Sequence, residues 1–333
     1  MKAFIVDRYG SAERVRSGEV PDPKMQEDEV LIQIHAAGVN PLDSKIRDGE
    51  FKLILPYQLP LILGNELAGV VVQVGARVRR FKAGDEVYAR PDKDRIGTFA
   101  EFIAVRELDL ALKPKNLTME EAASIPLVGL TAWQALIERA KLKKGQKVLI
   151  HAGAGGVGTF AIQLAKQVGA IVATTTSSGN VDLVKRLGAD VVIDYKKDRF
   201  EEVLRDYDVV LNSLDGETLK KSLRVLKPGG KLISISGPPD PEFARQLGLS
   251  RVLELVMRLL SFRIRRQAKR HNVSYSFLFM RASGDQLQQI SSLIESGAVR
   301  PVLDRVFPFD STKEAMAYVE TGRAKGKVVI KMR

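Results

Sequence analysis

The chain has no cysteine among its 333 residues and only three histidines, His35, His151 and His271. Disulfides, thiolate nucleophiles and zinc sites built on sulfur are thereby excluded. The histidines stand far apart in sequence, so an imidazole-based site has little to draw on, and no metal ligand is assigned. Long apolar runs are missing too: no window approaches the roughly eighteen unbroken apolar residues of a spanning helix. The opening "MKAFIVDRYG" meets Asp7 and Arg8 after a few apolar residues, too early for a secretory signal. A soluble, cytoplasmic protein is expected.

What is present starts with length and charge. A chain of this size exceeds the usual single core, so two domains are expected, and 45% apolar residues suit a globular protein. The net charge is +12, and it is uneven. Between Arg251 and Arg270, Arg251, Arg258, Arg263, Arg265, Arg266, Lys269 and Arg270 face Glu254 alone, which accounts for half of it. The surrounding stretch 247–272 keeps Leu249, Val252, Leu253, Val256, Leu259, Leu260 and Ile264 at helical spacing, with most of the cations elsewhere on the wheel. The reading preferred for it is a helix whose apolar side packs on the protein or a second copy, with a solvated arginine face. A membrane-surface helix comes second, and nucleic acid last, since no aromatic stacking platform accompanies the charges.

Residues 1–120 carry short apolar or alternating runs broken by Gly, Pro and Asp, among them "EVLIQIHAAGV", "ELAGVVVQVGARV", "GDEVYAR" and "TFAEFIAV". Closely spaced strands of this kind predict a compact β-rich domain. The segment 117–140 reads as helical, opened by a capping box of Thr118 and Glu121. From Lys147 the rhythm changes. Strands at 148–151, 171–175, 190–194, 209–212 and 231–236 alternate with helices at 156–168, 181–187 and 217–226, and 275–280 adds a sixth strand. Such alternation predicts an α/β fold with a doubly wound parallel sheet. A helix over "GDQLQQISSLIESG" and a strand over "GKVVIKM" close the chain.

The first of those α/β strands runs into Gly153, Gly155, Gly156 and Gly158, a G-x-G-x-x-G turn that opens a helix. In that context the glycines allow a tight turn and let backbone N–H groups approach a pyrophosphate at the helix N-terminus. The second strand ends without the acidic residue that would hold the ribose hydroxyls of NAD. Thr174, Thr175, Thr176, Ser177, Ser178 and Asn180 stand there instead, with Lys185 a turn further on. Hydroxyls and a cation suit a 2′-phosphate, so NADPH is the expected coenzyme. The alternative is that these hydroxyls only cap the following helix.

Nearly end to end, the chain resembles the medium-chain dehydrogenase/reductase family, in its zinc-free quinone oxidoreductase and alkenal/enone reductase branch. The resemblance rests on "AAGVNPLDSKIRDG" (36–49), "LPLILGNELAGVVVQVG" (59–75), "FKAGDEVYA" (81–89), "AASIPLVGLTAWQAL" (122–136), "HAGAGGVGTFAIQLAK" (151–166), "GADVVIDY" (188–195), "LKPGGKLISISG" (226–237) and "GRAKGKVVI". It implies a GroES-like substrate domain from both chain ends, 1–122 and 283–333, around a Rossmann domain at 123–282. The active site would lie in the cleft between them, with a basic helical insertion near 241–272. Where zinc enzymes of the family place Cys, His and Cys, this chain has Asn40, Asn65 and Leu127.

The resemblance also implies site residues. Asn40 and Lys45, in "NPLDSK", would stand beside nicotinamide and substrate, with Lys45 donating to a carbonyl oxygen and Tyr57 lining the pocket. Thr131 would contact the nicotinamide, and Gly156 and Val157 the pyrophosphate. Tyr195 would approach the 2′-phosphate. Leu214, Ile235, Ser236 and Gly237 would line the adenosine and nicotinamide halves, with Phe279, Met280 and Lys327 near the coenzyme. Asp43 and Glu66 are expected to be supports rather than acid/base groups. Without a Lewis acid a conjugated carbonyl is the better substrate: hydride adds at the β-carbon and the developing oxyanion needs only hydrogen bonds or a cation. The expectation is NADPH-dependent, zinc-independent reduction of α,β-unsaturated carbonyls or quinones by a homodimer. The competing class is a non-catalytic NADPH-binding protein that associates with RNA or a membrane through its basic helix.

Overall fold

The computed structural model describes residues 1–332, which divide into two units, 1–130 with 281–332 and 131–280. The first unit thus takes in residues 123–130 and 281–282 beyond the boundaries expected from the sequence.

In the first segment the strands are β1 (Lys2–Val6), β2 (Val15–Glu19), β3 (Glu29–Val39), β4 (Leu61–Ile62), β5 (Leu67–Val74), β6 (Glu86–Ala89), β7 (Phe102–Arg106) and β8 (Leu110–Leu112). Each expected apolar run became one of them. Strand β3 is long because Val30, Ile32 and Ile34 alternate into one core while Ala37 and Val39 enter another. A short helix, Pro41–Asp48, follows it, with Asn40 and Asp43 as capping box and Pro41 at its first turn. The helix expected over 117–140 is interrupted. Thr118 and Glu121 do form the capping box of Met119–Ala123, but Pro126 opens a new helix, Pro126–Trp133, and Gln134–Arg139 is a π-helical turn. Proline lacks the N–H that a continuing helix needs and disfavours helical backbone in the residue before it.

The middle segment supplies β9 (Lys147–Ile150), β10 (Ile171–Thr176), β11 (Val191–Asp194), β12 (Tyr207–Asn212), β13 (Leu226–Ser234) and β14 (Ser274–Phe277). All pair in parallel, in the order β11-β10-β9-β12-β13-β14. This is the doubly wound arrangement, and the order reverses direction between β9 and β12, where such sheets bind ligands at their C-terminal ends. The core on one face joins Leu149, Ala173, Val210 and Leu232 to Phe200, Leu219, Ile264 and Ala268. The basic stretch forms three helices, Pro241–Gln246, Arg251–Leu260 and Phe262–Arg270, broken at Ser261. Only part of the apolar stripe is covered within this chain, Ile264 lying in the core. Met257, Ile264 and Ala268 are buried, whereas Val252, Val256, Leu259 and Leu260 are exposed. A stripe read from sequence has a direction on the helix but not in the molecule.

The final segment returns to the first unit through the helix Gly284–Glu295, β15 (Leu303–Pro308), the helix Thr312–Glu320 and β16 (Lys327–Lys331). Strand β16 pairs antiparallel with β3 and closes a sheet ordered β15-β16-β3-β5-β6-β8, with β7 also on β3. That pairing carries Lys327 to the end of β3, beside Asn40.

Candidate functional site

In the unit 131–280 the expected coenzyme residues sit at the C-terminal ends of successive parallel strands. The glycine turn follows β9, Thr175 to Ser178 end β10, Tyr195 follows β11, Leu214 follows β12, Ile235 to Gly237 follow β13, and Phe279 and Met280 follow β14. Thr131 opens this unit and is buried.

The turn is shaped by packing. Gly153 N–H bonds the Thr175 carbonyl at 2.9 Å, and a Cβ on Gly153 would lie 2.1 Å from Thr174 Oγ1. A Cβ on Gly158 would lie 2.3 Å from the Ala152 carbonyl oxygen, so only glycine lets the helix Gly156–Gln167 approach the strand. At Gly155 the same construction meets only that carbonyl, at 3.3 Å. Gly155 is the N-cap, brings no side-chain cap, and no acid lies in the first turn. An open helix N-terminus of this kind fits a pyrophosphate.

Around the end of β10, His151 Nδ1 lies 3.1 Å from Thr175 Oγ1 and His151 Nε2 lies 2.9 Å from Ser222 Oγ. Burial pushes the imidazole down to about 4, so it is neutral at physiological pH. Ser178 Oγ donates to Asp194 Oδ2 at 2.5 Å, and that hydrogen bond holds the carboxyl below its usual range. Asp194 stands on β11 rather than at the end of β10, where the fingerprint acid belongs, and parallel pairing places it opposite Thr176. Tyr195 and Lys185 are exposed, and Ser177 Oγ accepts from Asn180 Nδ2 at 3.2 Å. After β12 and β13, Ser236 Oγ donates to the Leu214 carbonyl at 2.6 Å, and Gly237 N–H bonds Ser234 Oγ at 2.9 Å.

The other unit holds a buried polar cluster. Lys327 Nζ lies 2.5 Å from Asn40 Oδ1 and 2.5 Å from Glu66 Oε1. Glu66 also accepts from Asn40 Nδ2 and from the Leu127 N–H, each at 2.7 Å. Asp43 accepts from the Asn40 N–H and from Asn65 Nδ2, again at 2.7 Å each. Burial pushes the Asp43 carboxyl up to about 7 against those two hydrogen bonds. Glu66 and Asp43 are therefore fixed inside the protein and hydrogen-bonded, in keeping with supporting roles. The family's zinc positions, Asn40, Asn65 and Leu127, do not make a zinc donor set here. One amide is committed to Glu66 and Lys327, the leucine offers a backbone N–H, and an ammonium already occupies the centre of charge.

Lys45 is half-exposed, with its ammonium 3.2 Å from Glu50. It lies on the helix Pro41–Asp48 but outside the buried cluster. Tyr57 lies in the same unit, and its hydroxyl is buried without a hydrogen-bond partner among the described residues. Burial pushes the Tyr57 phenol up, and the Arg90 charge opposes that shift. Arg90, which the sequence reading passed over, is only 1% exposed; Nη1 donates to the Pro91 carbonyl at 2.7 Å and Nε has no hydrogen-bond partner among the described residues. The sequence shows Arg90 at the end of the strand run "GDEVYAR", but nothing in it says that the side chain is buried.

The family description "Alcohol dehydrogenase GroES-like domain" matches residues 26–115, and "Zinc-binding dehydrogenase" matches 187–330. The chain is 40% identical to a 2-methylene-furan-3-one reductase of Solanum lycopersicum, over 99% of this chain and 79% of the relative. It is 37% identical to an NADPH-dependent alkenal/one oxidoreductase, chloroplastic, of Arabidopsis thaliana, with the same coverage. The solved structure of a quinone oxidoreductase from Coxiella burnetii superposes with a TM-score of 0.87 at 31% identity, covering 100% of this chain and 99% of that one.

Proposed function

Since the chain belongs to the medium-chain dehydrogenase/reductase family, we propose that it reduces α,β-unsaturated carbonyls or quinones with NADPH and without zinc. The observation that carries the reading is the glycine turn at 153–158, whose uncapped, acid-free helix end is open at Gly155 and closed by packing at Gly153 and Gly158. Thr175, Ser177, Ser178, Lys185 and Tyr195 would meet the adenosine end, and Thr131, Leu214, Ile235 to Gly237, Phe279 and Met280 the remainder. Asp194 is engaged by Ser178 and lies 3.9 Å from Lys197, which tempers its charge toward a 2′-phosphate.

When bound, the coenzyme supplies hydride to the β-carbon of the acceptor. The protein's own part is to stabilise the oxygen on which negative charge develops. Tyr57 offers a buried donor with no competing partner, and Arg90 favours negative charge at that oxygen. Lys45 donates once it leaves Glu50, and an exposed pair of that kind holds it by only about 1 kcal/mol or less. Asn40 is held by Glu66 and Lys327, and solvent protonates the enolate carbon. Lys327 contributes through Asn40 and Glu66, whichever way it faces the coenzyme. A homodimer in the cytoplasm is the setting we expect.

The test follows NADPH absorbance with a panel of alkenals, cyclic enones, and ortho- and para-quinones, before and after zinc chelation. Turnover that survives chelation and prefers NADPH over NADH supports the reading. NADPH binding with no turnover on any acceptor removes the enzymatic reading, and loss of activity on chelation removes its zinc-free part. Lys45→Ala is expected to lower kcat/KM by more than about tenfold with NADPH affinity unchanged.

A further inference from the structure

We infer that the helices Arg251–Leu260 and Phe262–Arg270 form a docking surface for an anionic membrane. At 3.6 residues per turn, Val252, Leu255, Val256 and Leu259 fall within one arc of about 100°. They are 71%, 55%, 42% and 67% exposed, and Leu260 and Phe262 extend the same surface. The anchoring side of the helix is Met257, with Ile264 and Ala268 continuing it on the next. A surface helix ordinarily turns its apolar arc to the core. Here the arc points outward, and a patch of large aliphatic side chains in that position calls for a partner.

The charges next to the patch choose the partner. All seven cations of the stretch, Arg251 to Arg270, are exposed, and none forms an ion pair among the described residues. The one carboxylate, Glu254, faces Arg245 at 3.6 Å. A second copy docking by two-fold symmetry would set this stretch against itself, bringing like charges together with no free carboxylate to meet them. A nucleic acid would use the cations and leave the aliphatic arc in water. A bilayer with acidic headgroups satisfies both: aliphatic side chains enter the headgroup and acyl boundary while arginines and lysine meet the phosphates. No helix among the described residues is long and apolar enough to cross the membrane, so the contact is with the surface.

The experiment is flotation of the full chain with phosphatidylcholine vesicles and with vesicles in which half of that lipid is replaced by phosphatidylglycerol. The protein should float with the second and not the first, and raised salt should release most of it. Leu255→Ser with Leu259→Ser, and separately Arg265→Glu with Arg266→Glu, should each lower partitioning about tenfold or more. Both variants alter exposed side chains, so unchanged melting and NADPH binding serve as the folding control. Equal flotation by wild type and both variants overturns the inference, as does failure of the wild type to float with the anionic vesicles. It is also overturned if Leu255→Ser with Leu259→Ser splits a dimer while lipid binding is absent, for the patch then belongs to a second copy.

Discussion

Lys327 and Glu66 stand 261 residues apart in sequence and meet at 2.5 Å with both side chains buried. Removing one member of such a pair leaves an uncompensated charge in a low-dielectric interior, which costs about 3–5 kcal/mol. Lys327→Met should therefore lower urea stability by that amount, and Lys327→Met combined with Glu66→Gln should recover part of it. An additive double variant would mean that the pair contributes nothing as a pair. Tyr57 makes a different kind of case, because its hydroxyl has no partner to lose among the described residues. Tyr57→Phe should leave stability within about 1 kcal/mol while kcat/KM for enones falls at least about tenfold. If turnover is untouched, the hydroxyl is not the oxyanion donor. His151 tests burial itself. The unfolded chain takes up its proton near 6.5 and the folded one near 4, so the stability present above 6.5 is lost as pH falls through 4. The loss is about 3 kcal/mol at most. With three histidines in the chain, NMR can follow the imidazoles individually, and one should stay neutral until close to pH 4. Three imidazoles titrating near 6.5 would place His151 in water.

At the scale of elements, the glycine turn separates packing from binding. Gly158→Ala pushes a methyl into the Ala152 carbonyl and Gly153 Cα, which are backbone and cannot swing aside. It should lower both melting temperature and NADPH affinity. Gly155→Ala meets a single atom at 3.3 Å, so it should leave melting nearly unchanged while weakening NADPH binding at least about tenfold, the new methyl standing where the backbone must approach phosphate. Equal effects of the two on binding and stability would detach the turn from the coenzyme. This turn was legible in sequence because everything it needs is local: a strand, glycines at fixed offsets, a helix. The strands of β3 and β9 to β14 were legible for the same reason, their apolar runs being bounded by turn residues. What escaped was set by neighbours far along the chain. Asp194 reaches Ser178 only because β10 and β11 pair in register. Lys327 joins Asn40 and Glu66 in one cluster because β16 pairs with β3. The helix Arg251–Leu260 shows the limit most plainly. Periodicity fixes which residues share a face, and the fold decides which face meets the core.

For the molecule as a whole, the two units bear separate cores: β3 feeds two in the first, and the sheet β9 to β14 covers one in the second. Every strand end assigned to the coenzyme lies in the second. A ligand that binds only the folded form stabilises it by RT ln(1 + [L]/Kd), about 2.7 kcal/mol at a hundredfold excess over Kd. Scanning calorimetry should therefore show NADPH raising the transition of the unit 131–280 by several degrees. A transition of the first unit, where the two resolve, should move less. NADH at equal concentration should give a smaller shift, since the end of β10 offers Thr175, Ser177, Ser178 and nearby Lys185 to a 2′-phosphate and places no carboxylate of its own there. Equal shifts would assign the preference to Asp194, acting on the ribose hydroxyls from β11. Asp194→Asn decides that point, because it should weaken NADH in that case and strengthen NADPH in the other.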